Sequence, residues 1–321
     1  MATPPSPPPL TLLSWGAGFG LPSICPECLH ALALLRFSGT AFTLDDRGAR
    51  LSSPSAVLPA VLLGARAVAG ARAIAAALAG ADGRLGAREL DAGLSAAERA
   101  ETAAFSALVL DGLYPAELCQ WWLQEERAEA TSAAFGGRAG FPLGLVVQGQ
   151  LRRGHARRLE LCGVSWDDAQ ARLEGGLRAL SDRLGQGAYF FGDAPRSLDA
   201  AVYAHLASIN ARAGEDAAQA LLRRHANLLA FCERVRAAYF AEHSGSDAGG
   251  DPALPAAQSR VRPDEVEEPA LPALRKRNPE REEASRRSNR WLLSVGAVAA
   301  MYILWSDAWL YEEIEDASTE D

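Results

Sequence analysis

The sequence predicts an α/β domain followed by an all-α domain, a linker and a single C-terminal transmembrane helix. Between residues 10 and 82, short apolar runs alternate with two helical patterns in the order strand, helix, strand, strand, strand, helix. Between residues 95 and 243, helical patterns with capping residues follow one another without a strong strand signal. Near the C-terminus, an uncharged segment lies between tryptophans, which is typical of a membrane-spanning helix.

The composition indicates a folded protein and excludes several classes. At 321 residues the chain is long enough for two domains with tails. Its net charge of -8 argues against a dedicated nucleic-acid-binding protein, which would carry a basic face. The five cysteines are odd in number and mostly scattered, which indicates a reducing compartment rather than a disulfide framework. Residues 1–9 are proline-rich and lack the pattern of a signal peptide or presequence, so we expect a disordered leader.

The elements of the first domain follow from hydrophobic patterning and turn residues. Pro26 suits the first turn of a helix, because its missing N–H would have no partner there in any case. The alanine-rich pattern after the last strand has a high helix propensity. We expect strands at residues 10–15, 41–44, 60–63 and 66–68, the last two as a hairpin, and helices at residues 26–37 and 72–79.

Capping residues mark the helices of the second domain. Ser95 and Glu98 form a capping box, in which a hydroxyl and a carboxylate accept hydrogen bonds from backbone amides at a helix start. The helical pattern that follows runs to about residue 113, is interrupted at Pro115 and resumes at residues 119–123. We expect further helices at residues 165–184, from 197 onward and at 227–239.

Residues 244–289 predict a flexible linker. Gly, Pro, Asp and Glu dominate its first half, which therefore holds too little apolar surface to offset the entropy lost on ordering. Its second half is basic, whereas residues 312–321 form an acidic tail. Because basic residues flank membrane spans on the cytosolic side, this difference places the folded domains in the cytosol.

Residues 290–311 predict a tail anchor. The 16 residues from Trp291 to Ser306 carry no charge, and Trp291 and Trp305 bracket them as residues of the two membrane interfaces do. A helix of this length spans roughly 24 Å, less than the ~30 Å hydrocarbon core of an average bilayer, so we expect a thin bilayer around it. The alternative is an amphipathic helix packed on the folded domains, although the segment is apolar on all sides.

Two short motifs near the N-terminus are candidates for chemistry. Residues 16–20 lack the glycine spacing of dinucleotide-binding loops and the Lys-Ser/Thr of a Walker loop, which indicates a simple strand-to-helix connection. Cys25 and Cys28 follow the first strand, where thioredoxin-like folds carry their redox pair. Free amides at a helix start would lower the pKa of Cys25, and Cys28 would resolve a mixed disulfide. Leu58-Pro59 matches the cis-proline that lies beside such a pair.

The sequence indicates no metal or cofactor site. Its five histidines show no ligand spacing with each other or with cysteine. Cys119, Cys162 and Cys232 lie in helical patterns, where buried small apolar residues are the commoner explanation.

Four segments of the chain resemble those of one family. The opening at residues 15–23, the end of the first helix at 36–39 and the approach to Pro59 at 53–59 are three of them. The most specific is a signature in the helical domain at residues 190–200, carried by Gly192, Asp193, Pro195, Ser197 and Asp199. Together they resemble the metaxins, transferase-fold proteins of the mitochondrial outer membrane that belong to its sorting and assembly machinery, and the Cys-Pro-x-Cys looks like plant and algal members.

The resemblance covers residues 12 to about 305 and implies a fold. The first domain, residues 10–82, would be thioredoxin-like, and the second, residues 95–243, would be all-helical and similar to the C-terminal domain of glutathione transferases. Those enzymes hold the glutamyl end of glutathione with an acidic residue and a serine at a helix start. Gly70 and Ala71 align there and cannot bind it, so the resemblance implies that glutathione-dependent catalysis is lost.

The signature has a physical explanation that needs no catalysis. Ser197 is expected to cap a helix, Asp199 suits the positive first turn, and Gly192 allows the turn that precedes them. We therefore expect a folding device in the helical domain.

The resemblance implies a non-enzymatic accessory subunit of the sorting and assembly machinery, held on the cytosolic face of the mitochondrial outer membrane. Expected partners are the β-barrel insertase, other subunits of the machinery, precursor proteins and, through the C-terminal helix, the lipid bilayer, but no nucleic acid. Two alternatives stay open: a tail-anchored thiol oxidoreductase or transferase that uses Cys25, and a membrane tether without a role in import.

Overall fold

The structure is a computed structural model, and it describes residues 10–46, 57–64, 66–79, 89–122, 125–137, 143–161, 163, 165–211 and 217–243. The expected leader, linker, tail anchor with Trp291 and Trp305, and acidic tail lie outside these residues. Within the described part of the chain, no helix combines the length and the apolar character needed to cross a membrane.

Four short strands form one mixed sheet in the order β2-β1-β3-β4. The central strand β1 (Leu10–Leu13) is parallel to β2 (Thr43–Asp45) and antiparallel to β3 (Ala60–Leu63). The strand β4 (Arg66–Ala69) pairs with β3 as the predicted hairpin. A parallel pair needs a crossover connection, which α1 (Pro26–Phe37) supplies between β1 and β2.

The helix α1 begins and ends at the residues that the sequence predicted. Pro26 lies in its first turn, and Gly39, with φ of +67°, ends it in the left-handed conformation that glycine adopts without strain. Nearly all of its side chains are buried, because α1 packs against the helix α2 (Ala71–Ala79) and against α8 (Ser197–Ala211) of the helical part.

Residues 89–243 are helical wherever the structure describes them, apart from loops and a single bridge between Tyr189 and Gly192. The predicted capping box of Ser95 and Glu98 starts a helix, and a second box, Ser165 with Asp168, starts the helix expected from residue 165. The helices, besides α8, are α3 (Ala96–Ala107), α4 (Tyr114–Trp122), α5 (Glu125–Gly136), α6 (Leu143–Leu161), α7 (Trp166–Leu184), α9 (Ala217–Arg223) and α10 (Ala226–Tyr239).

The predicted interruption at Pro115 is wrong. A π-helical segment, Leu108–Leu113, continues directly into α4, and Pro115 is the second residue of α4. The N–H of Tyr114 donates to the carbonyl oxygen of Val109, five residues earlier. The wider π turn thus precedes the proline, where an ordinary helix would have had to accommodate its ring and missing N–H.

Buried apolar side chains from the sheet, from α1 and from the helical part form one continuous hydrophobic core. Leu12 of β1, Leu29 of α1 and Leu198 of α8 are all completely buried in it. Apolar burial of this extent is the main favourable contribution to folding.

Candidate functional site

Cys25 and Cys28 lie at the N-terminus of α1. Cys25 is the N-cap residue, and its backbone N–H donates to Ser23 Oγ at 3.3 Å. Only 8% of Cys25 and none of Cys28 is exposed, and both thiols are free. The pair therefore has the position of a redox pair but almost no access from solvent.

The expected low pKa of Cys25 is wrong. A hydrogen bond with Cys28 raises the pKa of the Cys25 thiol well above its usual value, and burial and the charge of Glu27 raise it further. These effects outweigh the lowering of the pKa by free amides at the helix start, because a thiolate would form in apolar surroundings beside a carboxylate. A buried, protonated thiol is a poor nucleophile, so this arrangement disfavours thiol chemistry at Cys25.

A tyrosine of the helical part lies over the start of α1. Tyr114 Oη donates to Glu27 Oε2 at 3.3 Å. Burial raises the pKa of Tyr114 well above its usual value, and the charges of Glu27 and Cys25 add to this effect. The guanidinium of Arg158 lies 5.0 Å from the centre of the same ring. Tyr114 therefore links α4 and α6 to the cysteine pair.

Further aromatic side chains fill the space at the end of β1. Trp15 packs edge-on against Phe135 of α5, with 5.0 Å between ring centres. Trp122 of α4 packs against the same phenylalanine at 5.7 Å and stacks on His155 of α6 at 4.9 Å. Trp15, Trp122 and Phe135 are all buried. The chain's own rings thus occupy the region beside the strand-to-helix connection.

The two residues at the very start of α2 carry no polar side chain. Gly70, with φ of +90°, precedes the helix, and Ala71 is its first residue. The N–H of Gly70 donates to the carbonyl oxygen of Pro59 at 2.8 Å. The Leu58-Pro59 peptide bond, just before β3, is cis. This geometry has the cis-proline of the expected fold, but Gly70 and Ala71 stand where an acidic residue and a serine would hold the glutamyl end of glutathione.

Asp199 is the buried centre of the signature at residues 190–200. Its carboxylate accepts hydrogen bonds from the backbone N–H groups of Phe190 at 3.0 Å and Arg196 at 2.8 Å. Burial raises the pKa of Asp199 to about 7, although the two N–H groups act in the opposite direction. Gly192, with φ of +88°, forms the turn between these two donors.

The prediction that the Ser197 side chain caps α8 is wrong. The carboxylate of Asp91 accepts the hydrogen bonds at the start of this helix instead. Ser197 is the first residue of α8, and its N–H donates to Asp91 Oδ1 at 3.0 Å while its Oγ donates to Asp91 Oδ2 at 2.6 Å. Arg196 Nη1 donates to the carbonyl oxygens of Leu90 at 2.9 Å and Ala92 at 2.7 Å. The signature therefore connects residues 90–92, at the start of the helical part, to the start of α8 by hydrogen bonds.

The remaining signature residues lie in the turn before α8. Asp193 is exposed and Pro195 is half-buried. Both positions are consistent with a structural turn rather than with a catalytic centre.

Arg36, at the end of α1, joins that helix to the chain after α10. Its Nη1 lies 2.5 Å from Glu242 Oε1 and also donates to the carbonyl oxygen of Tyr239. Its guanidinium lies 4.5 Å from the centre of the Phe240 ring, and the side chain is only 6% exposed. The neighbouring Phe37 packs against Tyr239 at 4.7 Å. Arg36 and Phe37 thus hold residues 239–242 against the end of α1.

A buried ionisable cluster that the sequence did not reveal lies among α1, α4 and α8. His205 Nδ1 lies 3.0 and 3.1 Å from the two carboxylate oxygens of Glu117, and neither side chain is more than 1% exposed. Burial lowers the pKa of His30 to about 3, and electrostatic repulsion from His205 and Arg72 lowers it further. Glu117 and His205 are 88 residues apart, so no local pattern could have predicted their contact. In the described residues, no group of three or more His, Cys, Asp or Glu side chains has the arrangement of a metal site.

Two family models match this chain. Residues 28–152 match a family described as an outer mitochondrial membrane transport complex protein. Residues 173–235 match the C-terminal domain of glutathione S-transferases. The second match agrees with the all-helical architecture of the same residues.

Curated relatives decide the family. Metaxin-1 of Mus musculus is 32% identical over 272 residues, which cover 81% of this chain and 83% of the relative. The chain belongs to the metaxin family. Metaxin-3 of Xenopus laevis is 31% identical over 77% of this chain and 82% of its own length. Metaxin-2 of Homo sapiens is 33% identical over 47% of this chain and 59% of its own length.

Similar solved structures include glutathione transferases. Glutathione S-transferase III in its apo form is 17% identical with a TM-score of 0.47, covering 76% of this metaxin-family chain and 100% of the transferase. A glutathione transferase of Phanerochaete chrysosporium is 18% identical with a TM-score of 0.48, and the match covers 73% of this chain and 98% of the transferase.

Proposed function

We propose that this chain is a non-enzymatic accessory subunit of the mitochondrial outer membrane sorting and assembly machinery. In this role it aids protein import and the insertion of β-barrel precursors from the cytosolic face. Its similarity to metaxins over four fifths of its length carries the proposal, together with the match of residues 28–152 to an outer-membrane transport complex protein.

The absence of enzymatic activity is supported by the start of α1 and the start of α2. Cys25 is buried, and its hydrogen bond with Cys28 raises its pKa, so the thiolate needed for attack is scarce. Gly70 and Ala71 offer no side chain to the glutamyl end of glutathione. The transferase-like architecture then provides surfaces rather than a reaction centre.

The strand β4 is the surface that best suits β-strand clients. It lies at the edge of the sheet, and β3 is its only strand partner among the described residues. Arg66 and Ala67 of this strand are exposed. An edge strand presents unpaired backbone N–H and C=O groups, which an extended segment can bind by adding a strand. Unfolded β-barrel precursors are rich in such segments.

The location at the membrane rests on residues 290–311. Their uncharged stretch between Trp291 and Trp305, with basic residues before it and acidic residues after it, supports a tail anchor that leaves the folded part in the cytosol. This arrangement would hold β4 where precursors arrive before insertion.

Depletion and rescue test the proposed function. We expect mitochondria from depleted cells to assemble newly imported β-barrel proteins more slowly. The full chain and its Cys25→Ser/Cys28→Ser variant should both restore assembly, because the thiols have no catalytic part. A chain ending at residue 289 should not restore it, because the proposed anchor is missing.

Two outcomes would contradict the proposal. Unchanged β-barrel assembly after complete depletion would favour the membrane tether without a role in import. Failure of the cysteine variant to restore assembly, at a normal protein level, would favour thiol chemistry at Cys25.

A further inference from the structure

The helix α6 carries an unusual concentration of positive charge. Arg152, Arg153, Arg157 and Arg158 lie on it, against one acidic residue, Glu160. The whole chain has a net charge of -8, so this cluster runs against the balance of the protein. We call Arg152, Arg153 and Arg157 the α6 arginine face.

The packing of α6 directs the α6 arginine face outward. Leu151, His155 and Leu159 recur every four residues and contact the core, with His155 stacked on Trp122. Arg153 and Arg157 therefore lie on the opposite side of the helix, and both they and Arg152 are exposed.

The fold does not use these charges. No ion pair within the described residues involves Arg152, Arg153 or Arg157, whereas Arg36 and Arg183 each pair with a glutamate. Like charges four residues apart on a helix destabilise it by about 0.2–0.5 kcal/mol. The cluster thus costs the isolated helix stability, and no ion pair among the described residues compensates for it, so these charges are available to a partner outside the fold.

We propose that the α6 arginine face binds the phosphate groups of anionic phospholipids at the membrane surface. Planar guanidinium groups match phosphate oxygens in geometry and charge. A basic residue near an anionic membrane surface contributes attraction that is screened by salt. Gly149 and Gly154 have open space where a side chain would project, so α6 can approach a flat surface closely.

The position of the proposed anchor favours a lipid surface as the partner. The inference rests on the tail anchor of the proposed function. The expected linker between residue 243 and the anchor holds 46 residues, 244–289, and a flexible chain of that length would span roughly 40 Å. Such a tether keeps the α6 arginine face at a high effective concentration near the membrane, so even weak attraction is sufficient.

The other candidate partner is an acidic segment of the same chain, residues 264–268. Basic residues lie closer to this segment in the sequence than α6 does, because the linker carries six of them between Arg275 and Arg287, and Arg290 follows at the start of the proposed anchor. Those basic residues adjoin the proposed anchor and suit the same anionic surface as the α6 arginine face. Charge complementarity therefore favours the lipid surface over the acidic segment.

Site-specific photocrosslinking in the full chain tests the proposal. A photoreactive benzoylphenylalanine replaces Gln150, which is exposed and lies one turn before Arg153. The control replaces Ala171, which is exposed on α7. The chain is reconstituted into vesicles of phosphatidylcholine alone or with roughly 30 mol% phosphatidylserine, enough to give the negative surface potential of a cytosolic leaflet. Lipid adducts are then measured by mass spectrometry.

We expect lipid adducts at position 150, but not at 171, on the vesicles with phosphatidylserine. Arg153→Gln/Arg157→Gln should reduce the yield roughly 25-fold, about fivefold for each guanidinium removed. The matched variant Arg172→Gln/Arg178→Gln removes two exposed arginines of α7 and should leave the yield unchanged. High salt should abolish the adduct as well.

Three results would overturn the proposal. The first is an equal yield on vesicles with and without phosphatidylserine, and the second is a yield that Arg153→Gln/Arg157→Gln does not change. The third is a crosslink from position 150 to residues 264–268, which would make the acidic segment the partner. A failure of the anchor is distinguishable, because the chain would then not float with phosphatidylcholine vesicles, and a failure of the import role would leave these yields unaffected.

Discussion

Asp199 illustrates how much of this fold depends on a single buried carboxylate. Its two oxygens accept hydrogen bonds from the backbone N–H groups of Phe190 and Arg196, and a buried backbone N–H without an acceptor is costly. The sequence predicted that Asp199 stabilises a helix start. It gave no sign that Asp91, from a distant turn, would supply the acceptor for Ser197.

Replacing Asp199 with alanine should destabilise the protein by about 2–4 kcal/mol, because the buried N–H of Phe190 and the part-buried N–H of Arg196 lose their acceptor. Asp193→Ala is the matched control in the same signature, and its effect should stay within about 0.5 kcal/mol because Asp193 is exposed. Urea unfolding gives both values. Equal effects of the two variants would contradict this account of the signature.

Two buried groups give the stability opposite dependences on pH. The pKa of Asp199 rises from 3.8 to about 7 on folding. The contribution of this shift to the free energy of unfolding is therefore largest below pH 4 and is lost as the pH rises to about 7. The pKa of His30 falls from 6.5 to about 3, so its contribution is lost as the pH falls from 6.5 towards 3.

Variants that remove each group should separate these two effects. Relative to the unmodified chain, His30→Leu should become more stable as the pH falls from about 6.5 to 4, by at most about 1.4 kcal/mol per pH unit. Asp199→Asn should change in the opposite direction over the same range. Urea unfolding at several pH values measures both slopes. Slopes of the same sign, or no slope for His30→Leu, would contradict the burial of a neutral His30.

Among the elements, those with local start and stop signals were predictable and those without were not. The bounds of α1 and the starts of α3 and α7 follow from Pro26, Ser95 and Ser165, because capping acts over three or four residues. The helices α5 and α6 went unpredicted. In α6, glycines and arginines obscure the helical period, and only Leu151, His155 and Leu159 mark its inner side.

The junction between α1 and the chain after α10 should depend strongly on Arg36. Arg36→Ala removes a nearly buried guanidinium from Glu242, Tyr239 and Phe240, and should cost about 3–5 kcal/mol. Arg183 also pairs with a glutamate and lies 4.5 Å from a phenylalanine ring, but its side chain is 31% exposed.

Arg183→Ala is therefore the matched control, and it should cost about 1 kcal/mol or less, because solvent screens an exposed pair. Thermal or urea unfolding compares the two variants. A similar loss in both would mean that burial does not set the strength of the Arg36 contacts.

For the whole molecule, the order of strands and helices was predictable, and the burial and high pKa of the cysteine pair were not. The strand and helix order and Pro59 follow from local sequence. The high pKa of Cys25 does not, because it depends on the hydrogen bond with Cys28, on burial by the folded chain and on the charge of Glu27. The cysteine pair thus lies at the start of α1, and Tyr114 of the helical part donates a hydrogen bond to Glu27 between the two cysteines.

The proposed function is tested most directly by purification of the tagged full chain from mildly solubilised membranes, with identification of the proteins that accompany it. We expect recovery of the β-barrel insertase of the mitochondrial outer membrane, with the same yield for the Cys25→Ser/Cys28→Ser variant. An intact, membrane-bound chain that recovers no component of the sorting and assembly machinery would contradict the proposed function.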